Sequence, residues 1–128
     1  MSEGSAGAGE GDASAILIPL QEARRERLGM PVSFDRRELD LILRLYGRMV
    51  AANEWKDYAI DHLEDRAIFS VYRRASEVPL FQIVKDPKLA KRQGAFSVIA
   101  AGGRILKRGH ELARVLGVFD NRLKLVKA

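Results

Sequence analysis

The sequence predicts an α+β domain: one long N-terminal helix packed across an antiparallel β-sheet of about five to six strands, followed by a short C-terminal helix. Three observations lead to this fold class. Apolar residues first recur at helical spacing, the spacing then changes to every second residue, and short turns separate the later apolar runs. Short turns imply antiparallel pairing, because parallel neighbours need crossovers of about a dozen residues or more.

The helix is predicted from about Arg36 to Ala52. Asp35 precedes it and Glu38 follows three residues later, which is the spacing of a capping box. The apolar face repeats at steps of three and four residues: Leu39, Ile42, Leu43, Tyr46, Met49 and Val50. We expect the charged residues between them to face solvent.

Five strands are expected after the helix. Their predicted ranges are 58–62, 67–72, 80–84, 95–100 and 104–107. Pro87 ends the third strand, since proline cannot donate to a ladder. Gly102 and Gly103 predict the last hairpin turn, because both tolerate positive φ. A short helix over 110–116 follows, and residues 123–126 are expected to add a sixth strand.

Composition divides the chain of 128 residues into a tail and one domain. Residues 1–32 are acidic and rich in Gly, Ala and Ser, so we expect a disordered tail. Residues 33–128 form the predicted domain, which is long enough to bury a modest core without disulfides. The chain has no cysteine, which excludes thiolate metal sites and fits a reducing cytoplasm, where we expect the protein. No apolar run approaches the about 20 residues of a membrane span.

Five runs of residues are similar to one known family. They are FDRREL (34–39), YGRMVAA (46–52), WKDYAI (55–60), FSVYRRASEVPL (69–80) and GRILKRGH (103–110). Over about Val32 to Val126 the chain resembles a family of short bacterial proteins catalogued as domain of unknown function 2794. The resemblance implies no activity, cofactor or catalytic residue.

The residue pattern gives little support for enzymatic chemistry. The two histidines, His62 and His110, lack the spacing of a metal-ligand motif. No serine lies in a nucleophile motif. We expect His62 on a sheet face. His110, at the start of the short helix, could cap that helix or contact an anion, and we favour the cap. The sequence therefore predicts a domain that is not an enzyme and has no metal or other cofactor.

The formal charge of +5 is unevenly distributed. Residues 1–35 hold three Arg against six Asp or Glu, whereas residues 71–128 hold thirteen Lys or Arg against four. A basic domain favours a polyanionic partner such as RNA or DNA, although the same charge also serves solubility. Candidate phosphate contacts lie in a loop and in the fifth strand: Lys88, Lys91, Arg92, Arg104, Lys107 and Arg108. They form one patch only if the loop and the strand share an edge of the sheet.

The alternative is a protein-interaction or homodimerisation module. A sheet covered by one helix leaves its other face or an edge strand open. The candidate contact residues are Trp55, Tyr58 and Tyr72, which also suit the core beneath the helix. An open apolar face would favour this alternative, whereas a polar face with cations gathered at one edge would favour polyanion binding.

Overall fold

The structure is a computed structural model and describes residues 29–74 and 78–120. Its elements in chain order are α1 (Arg36–Ala51), β1 (Asp57–His62), β2 (Ala67–Tyr72), β3 (Phe81–Lys85), β4 (Phe96–Ala100), β5 (Ile105–Gly109) and α2 (Leu112–Leu116). The predicted α+β fold, with its long helix, antiparallel sheet and short C-terminal helix, is confirmed. The tail expected before residue 29 and the sixth strand lie outside the described residues.

The capping box of α1 is present as the sequence predicts. The Asp35 carboxylate accepts from the backbone N–H of Glu38, and the Glu38 carboxylate accepts from the backbone N–H of Asp35, both at 2.8 Å. The centre of the buried stripe runs through Ile42, Leu45 and Met49. Leu45 was not among the apolar positions predicted to face the sheet.

The five strands follow one another in space as they do in sequence, so the sheet is an antiparallel meander. The β4–β5 hairpin turns through Gly102 and Gly103, which both have φ +88°, as the sequence predicts. A β-bulge interrupts the pairing of β4 with β5 between Val98 and Ile99. The bulge shifts the pairing so that Ile99 lies opposite Ile105.

Both helices pack on the same face of the sheet, where they enclose the core. Phe69, Ile83 and Val98 lie in one row across this face and are fully buried. Trp55 and Phe119 meet edge to face beside them, with ring centroids 5.1 Å apart. The core therefore sits between α1, α2 and the inner face of the sheet.

The folded part begins before the predicted boundary at residue 33. Val32 is buried and belongs to the core, and its backbone N–H donates to the carbonyl of Leu63 at 2.9 Å. This bond anchors the chain to the β1–β2 turn ahead of α1. Val32 is therefore part of the domain rather than of the tail.

The opposite side of the sheet, which we call the outer face, carries no helix among the residues that the structure describes. Its side chains form two rows across the strands from β1 to β5. The first row is Asp61, Ile68, Val84, Ser97 and Arg108, and the second row is Ala59, Ser70, Gln82, Ile99 and Ile105. None of these ten residues belongs to the core cluster or packs against it.

Candidate functional site

The β3–β4 loop folds against the end of β5. Gly94 has φ +103°, and a Cβ atom on it would lie 2.1 Å from the carbonyl carbon of Gly109. This close approach of two backbones requires glycine at residue 94. The Gln93 side-chain oxygen accepts a hydrogen bond from Arg108 Nη1 across the same junction. The loop and the end of the fifth strand therefore share one corner of the sheet.

This junction gathers exposed cations from three elements. The loop supplies Lys88, Lys91 and Arg92, which are all exposed, and β5 supplies the exposed Lys107 and the half-buried Arg108. Arg114 joins them from α2 and is also exposed. We call these six residues the basic corner.

An open pocket of about 450 Å³ lies at the basic corner, where β5 joins α2. Its lining residues are Lys107, Arg108, Gly109, His110, Glu111, Arg114 and Val115. Arg114 Nε pairs with Glu111 Oε1 at 3.0 Å, but both side chains are more than half exposed. Such an exposed ion pair contributes about 0–1 kcal/mol to stability, so Glu111 holds the Arg114 side chain only weakly.

The Arg108 guanidinium is only partly satisfied. Its Nη1 donates to Gln93, whereas its buried Nε has no hydrogen-bond partner within the described residues. A buried donor without an acceptor costs about 1–3 kcal/mol. An acceptor oxygen that reached this Nε would remove that cost.

Comparison with protein-family models matches residues 32–116 to the family described as "Protein of unknown function (DUF2794)". The chain belongs to this family. The matched range includes α1, the whole sheet and every residue of the basic corner. No curated protein and no solved structure matches the chain.

The DUF2794 domain does not bring all six predicted phosphate contacts together. Arg104 lies beside the Gly102–Gly103 turn, at the opposite end of β5 from Arg108. Four residues of extended strand span about 13 Å. Lys88, Lys91, Arg92, Lys107 and Arg108 share the corner, and Arg104 stands apart from it.

His110 and Arg114 line the pocket and were not among the six predicted phosphate contacts. His110 was expected to cap the short helix, but α2 begins at Leu112, Glu111 holds the N-cap position, and no side chain makes the cap hydrogen bond. His110 instead lines the pocket together with Arg114. Arg114 could have been identified from the sequence, because it lies in the first turn of a short helix that directly follows a basic strand.

The three aromatic residues predicted to contact a partner have different environments in the DUF2794 domain. Trp55 is 1% exposed and packs in the core, so the contact role expected for it does not fit its burial. Tyr58 is 41% exposed at the edge strand β1, where its ring stacks on Phe69 at a centroid distance of 4.8 Å. Tyr72 is half-buried and lies opposite Asp57 on the outer side of the sheet.

The described part of the DUF2794 domain offers no group of three or more His, Asp or Glu side chains that would hold a metal ion. None of its helices, again over the described residues, has the length and apolar character of a membrane span. The basic corner presents cationic hydrogen-bond donors around an open pocket. That set suits an anion.

Proposed function

We propose that this domain binds the phosphate backbone of RNA or DNA through the basic corner. The observation that carries the proposal is the junction of Gly94 with Gly109, because it holds two basic segments at one corner. Residues 86–114 contain seven Lys or Arg against two carboxylates. Asp86 accepts from the backbone N–H of Lys88, and Glu111 pairs with Arg114, and the cations outnumber these two carboxylates by five.

Phosphate contacts account for this arrangement better than base recognition does. Lysine presents a compact charge to a phosphate, and arginine can hold two phosphate oxygens at once. The pocket lining contains no Phe, Tyr or Trp on which a base would stack, and its one ring is that of His110. We therefore propose binding that depends on charge and carries little sequence preference.

Binding of this kind has a measurable salt dependence. Each phosphate contact releases condensed counterions, so affinity falls as salt rises. With three contacts, raising the salt concentration from 50 to 200 mM weakens binding about 20-fold for single strands and about 40-fold for duplex DNA. If the basic residues served only solubility, we would not expect salt-dependent binding to nucleic acid at micromolar concentrations of the domain.

The test is an anisotropy titration of the full chain with labelled single-stranded RNA and duplex DNA at these two salt concentrations. We expect micromolar binding to at least one of them at 50 mM salt. A triple variant with Lys91→Glu, Arg92→Glu and Lys107→Glu should lose at least ten-fold in affinity, since it reverses three corner charges.

The matched control reverses three exposed cations that lie elsewhere, namely Arg37, Arg44 and Lys56. Both variants change the net charge by the same amount, so only the position of the charges differs. We expect the control to keep most of the wild-type affinity. No binding by the wild type at 50 mM salt, or an equal loss in both variants, would overturn the proposal.

We also propose a cytoplasmic location, which the cysteine-free sequence supports. Cell fractionation followed by immunoblotting tests it. Recovery of the chain in a membrane or secreted fraction would contradict the proposal.

A further inference from the structure

We propose that the outer face of the sheet is a homodimer interface, in which two copies pack face to face about a twofold axis that runs along β3. The proposal rests on the order of residues across the outer face. It does not depend on the ligand proposed for the basic corner. The two sites share Arg108, so the variants at Asp61 and Ile105 are the ones that test the dimer separately.

The two edges of the outer face carry opposite charge. In the first row Asp61 lies on β1, at one edge, and Arg108 lies on β5, at the other. A twofold axis along β3 places β1 of one copy over β5 of the other. Asp61 of each copy then faces Arg108 of the other copy, which makes two equivalent ion pairs across the dimer.

Between these edges, the same twofold axis places large side chains of one copy opposite small side chains of the other. Ile68 of the first row would face Ser97 of the other copy, because β2 lies over β4. In the second row the isoleucines on β4 and β5 also face small residues. These pairs are Ile99 with Ser70 and Ile105 with Ala59.

The two residues nearest the axis meet their own counterparts. Gln82 of one copy faces Gln82 of the other, and a pair of amides can exchange hydrogen bonds. Val84 faces Val84, although it is already 94% shielded within its own chain and adds little contact area. Ser70 and Ser97 are likewise 2% and 4% exposed, so most of the contact between copies falls to the edge charges and to the exposed Ile105.

The exposure of the outer face is consistent with a partner. Ile105 is 47% exposed, Asp61 is exposed, and Ile68 and Ile99 are half-buried without belonging to the core. A second sheet packed about 10 Å away, with its strands within about 30° of this one, would cover the isoleucines. The sheet is small, so we expect a reversible rather than a permanent dimer.

A second copy is favoured over other occupants because the outer face is complementary to itself. Asp61 and Arg108 lie four strand spacings apart, which is about 19 Å, so they cannot pair within one chain. An unrelated partner would not require opposite charges at mirrored positions of the same row. Self-complementarity is the property that a twofold interface requires.

The decisive experiment is a charge swap measured by sedimentation velocity on the full chain from 1 to 500 μM. Asp61→Arg alone, or Arg108→Asp alone, places like charges opposite each other twice per dimer and should weaken dimerisation at least ten-fold. The double variant restores both pairs in reversed order and should recover most of the wild-type affinity. Circular dichroism checks that each variant is folded.

Two further variants complete the test. Ile105→Glu should weaken the dimer at least ten-fold, because it buries a carboxylate against Ala59 of the other copy. Asp40→Arg, which changes an exposed residue on α1, is the matched control and should leave the dissociation constant unchanged.

A chain that stays monomeric at every concentration overturns the proposal, and this result is also expected if another part of the chain covers the outer face. A dimer that withstands Asp61→Arg, or a double variant that fails to recover, overturns it as well. Asp61→Arg lies at the sheet edge remote from the basic corner, so its effect on dimerisation is separable from a failure of nucleic-acid binding.

Discussion

Lys85 Nζ lies 2.8 Å from Glu38 Oε1 and joins the middle strand of the sheet to the first turn of α1. Lys85 is 3% exposed and also donates to the carbonyl of Ser33 at 3.0 Å. The same Glu38 oxygen accepts from the backbone of Asp35 in the capping box. The Glu38 carboxylate thus both caps the N-terminus of α1 and fixes the position of the helix over β3.

Lys85→Met tests how much the buried ion pair of Lys85 and Glu38 contributes to the stability of the domain. The methionine fills most of the space, but the Glu38 carboxyl is left largely buried without its cation. Removing one partner of a buried ion pair costs about 3–5 kcal/mol. Urea unfolding at pH 7, followed by circular dichroism, measures the loss.

The double variant Lys85→Met with Glu38→Gln is the control. It removes both charges, and glutamine still serves in a capping box. We expect it to recover at least half of the stability lost in the single variant. A double variant as unstable as Lys85→Met would show that the lysine stem, rather than its charge, matters.

The pH dependence of stability should carry a signature of Glu38. Burial raises the pKa of the Glu38 carboxyl above its usual value of 4.5, and this effect outweighs the opposing attraction of Lys85. Because the folded state holds this proton more tightly than the unfolded state, the contribution of Glu38 is fully present below pH 4.5. It is lost as the pH rises through the folded-state pKa.

We therefore expect the stability of the wild type, relative to Glu38→Gln, to fall as the pH rises from about 4 toward neutrality. Urea unfolding of both proteins at several pH values measures this difference. A difference that grows with pH would contradict the raised pKa, since that is the behaviour of a carboxyl whose pKa is lowered on folding.

Local signals predicted the helix and strands, because they depend on residues close in sequence. The capping box of α1 and the Gly102–Gly103 turn are examples, and both are present. Lys85 was not expected inside, because a strand pattern does not reveal which polar residue will find a buried partner 47 positions away. Trp55 was ambiguous for the same reason, since its partner Phe119 comes from the other end of the domain.

The basic corner could be predicted only in part. Charge along the chain identified the loop cations and those of β5, but the relation between them depends on Gly94 packing on Gly109. Nothing local in the sequence distinguishes that glycine from a turn glycine. Arg104 was grouped with Lys107 by proximity in sequence, although an extended strand carries them to different ends of the sheet.

Gly94→Ala tests the junction of the loop with β5. The new Cβ would lie 2.1 Å from the carbonyl carbon of Gly109 and would also meet an unfavourable φ of +103°. Left-handed backbone costs about 1–2 kcal/mol for an ordinary residue, and the clash with backbone adds to it. We expect a loss of more than about 2 kcal/mol in urea unfolding.

Gly102→Ala supplies the comparison for Gly94→Ala. Its φ is +88°, but nothing lies within 4 Å of the added Cβ, so only the backbone strain remains. We expect about 1–2 kcal/mol of destabilisation. Equal losses at the two positions would mean that the loop moves away from β5 at little cost.

Gly47→Ala should stabilise the domain. Gly47 lies within α1, is exposed, and has nothing within 4 Å of a Cβ added to it. Alanine is favoured over glycine inside a helix by about 1 kcal/mol, largely because glycine loses more backbone entropy on folding. A rise in the thermal midpoint measures the gain, and a fall would contradict this expectation.

The positions of Lys107 and Arg104 on one strand allow the proposed phosphate site to be tested without reversing any charge. Lys107 lies at the basic corner and lines its pocket, whereas Arg104 lies at the far end of β5. Neutralising a lysine that contacts a phosphate lowers the slope of log affinity against log salt by about 0.7 for single strands. Lys107→Gln should therefore lower the slope by about that amount and weaken binding, while Arg104→Gln should leave the slope unchanged. Anisotropy titrations at four salt concentrations resolve the two slopes. Equal reductions would mean that nucleic acid runs along the whole of β5 rather than binding at the corner.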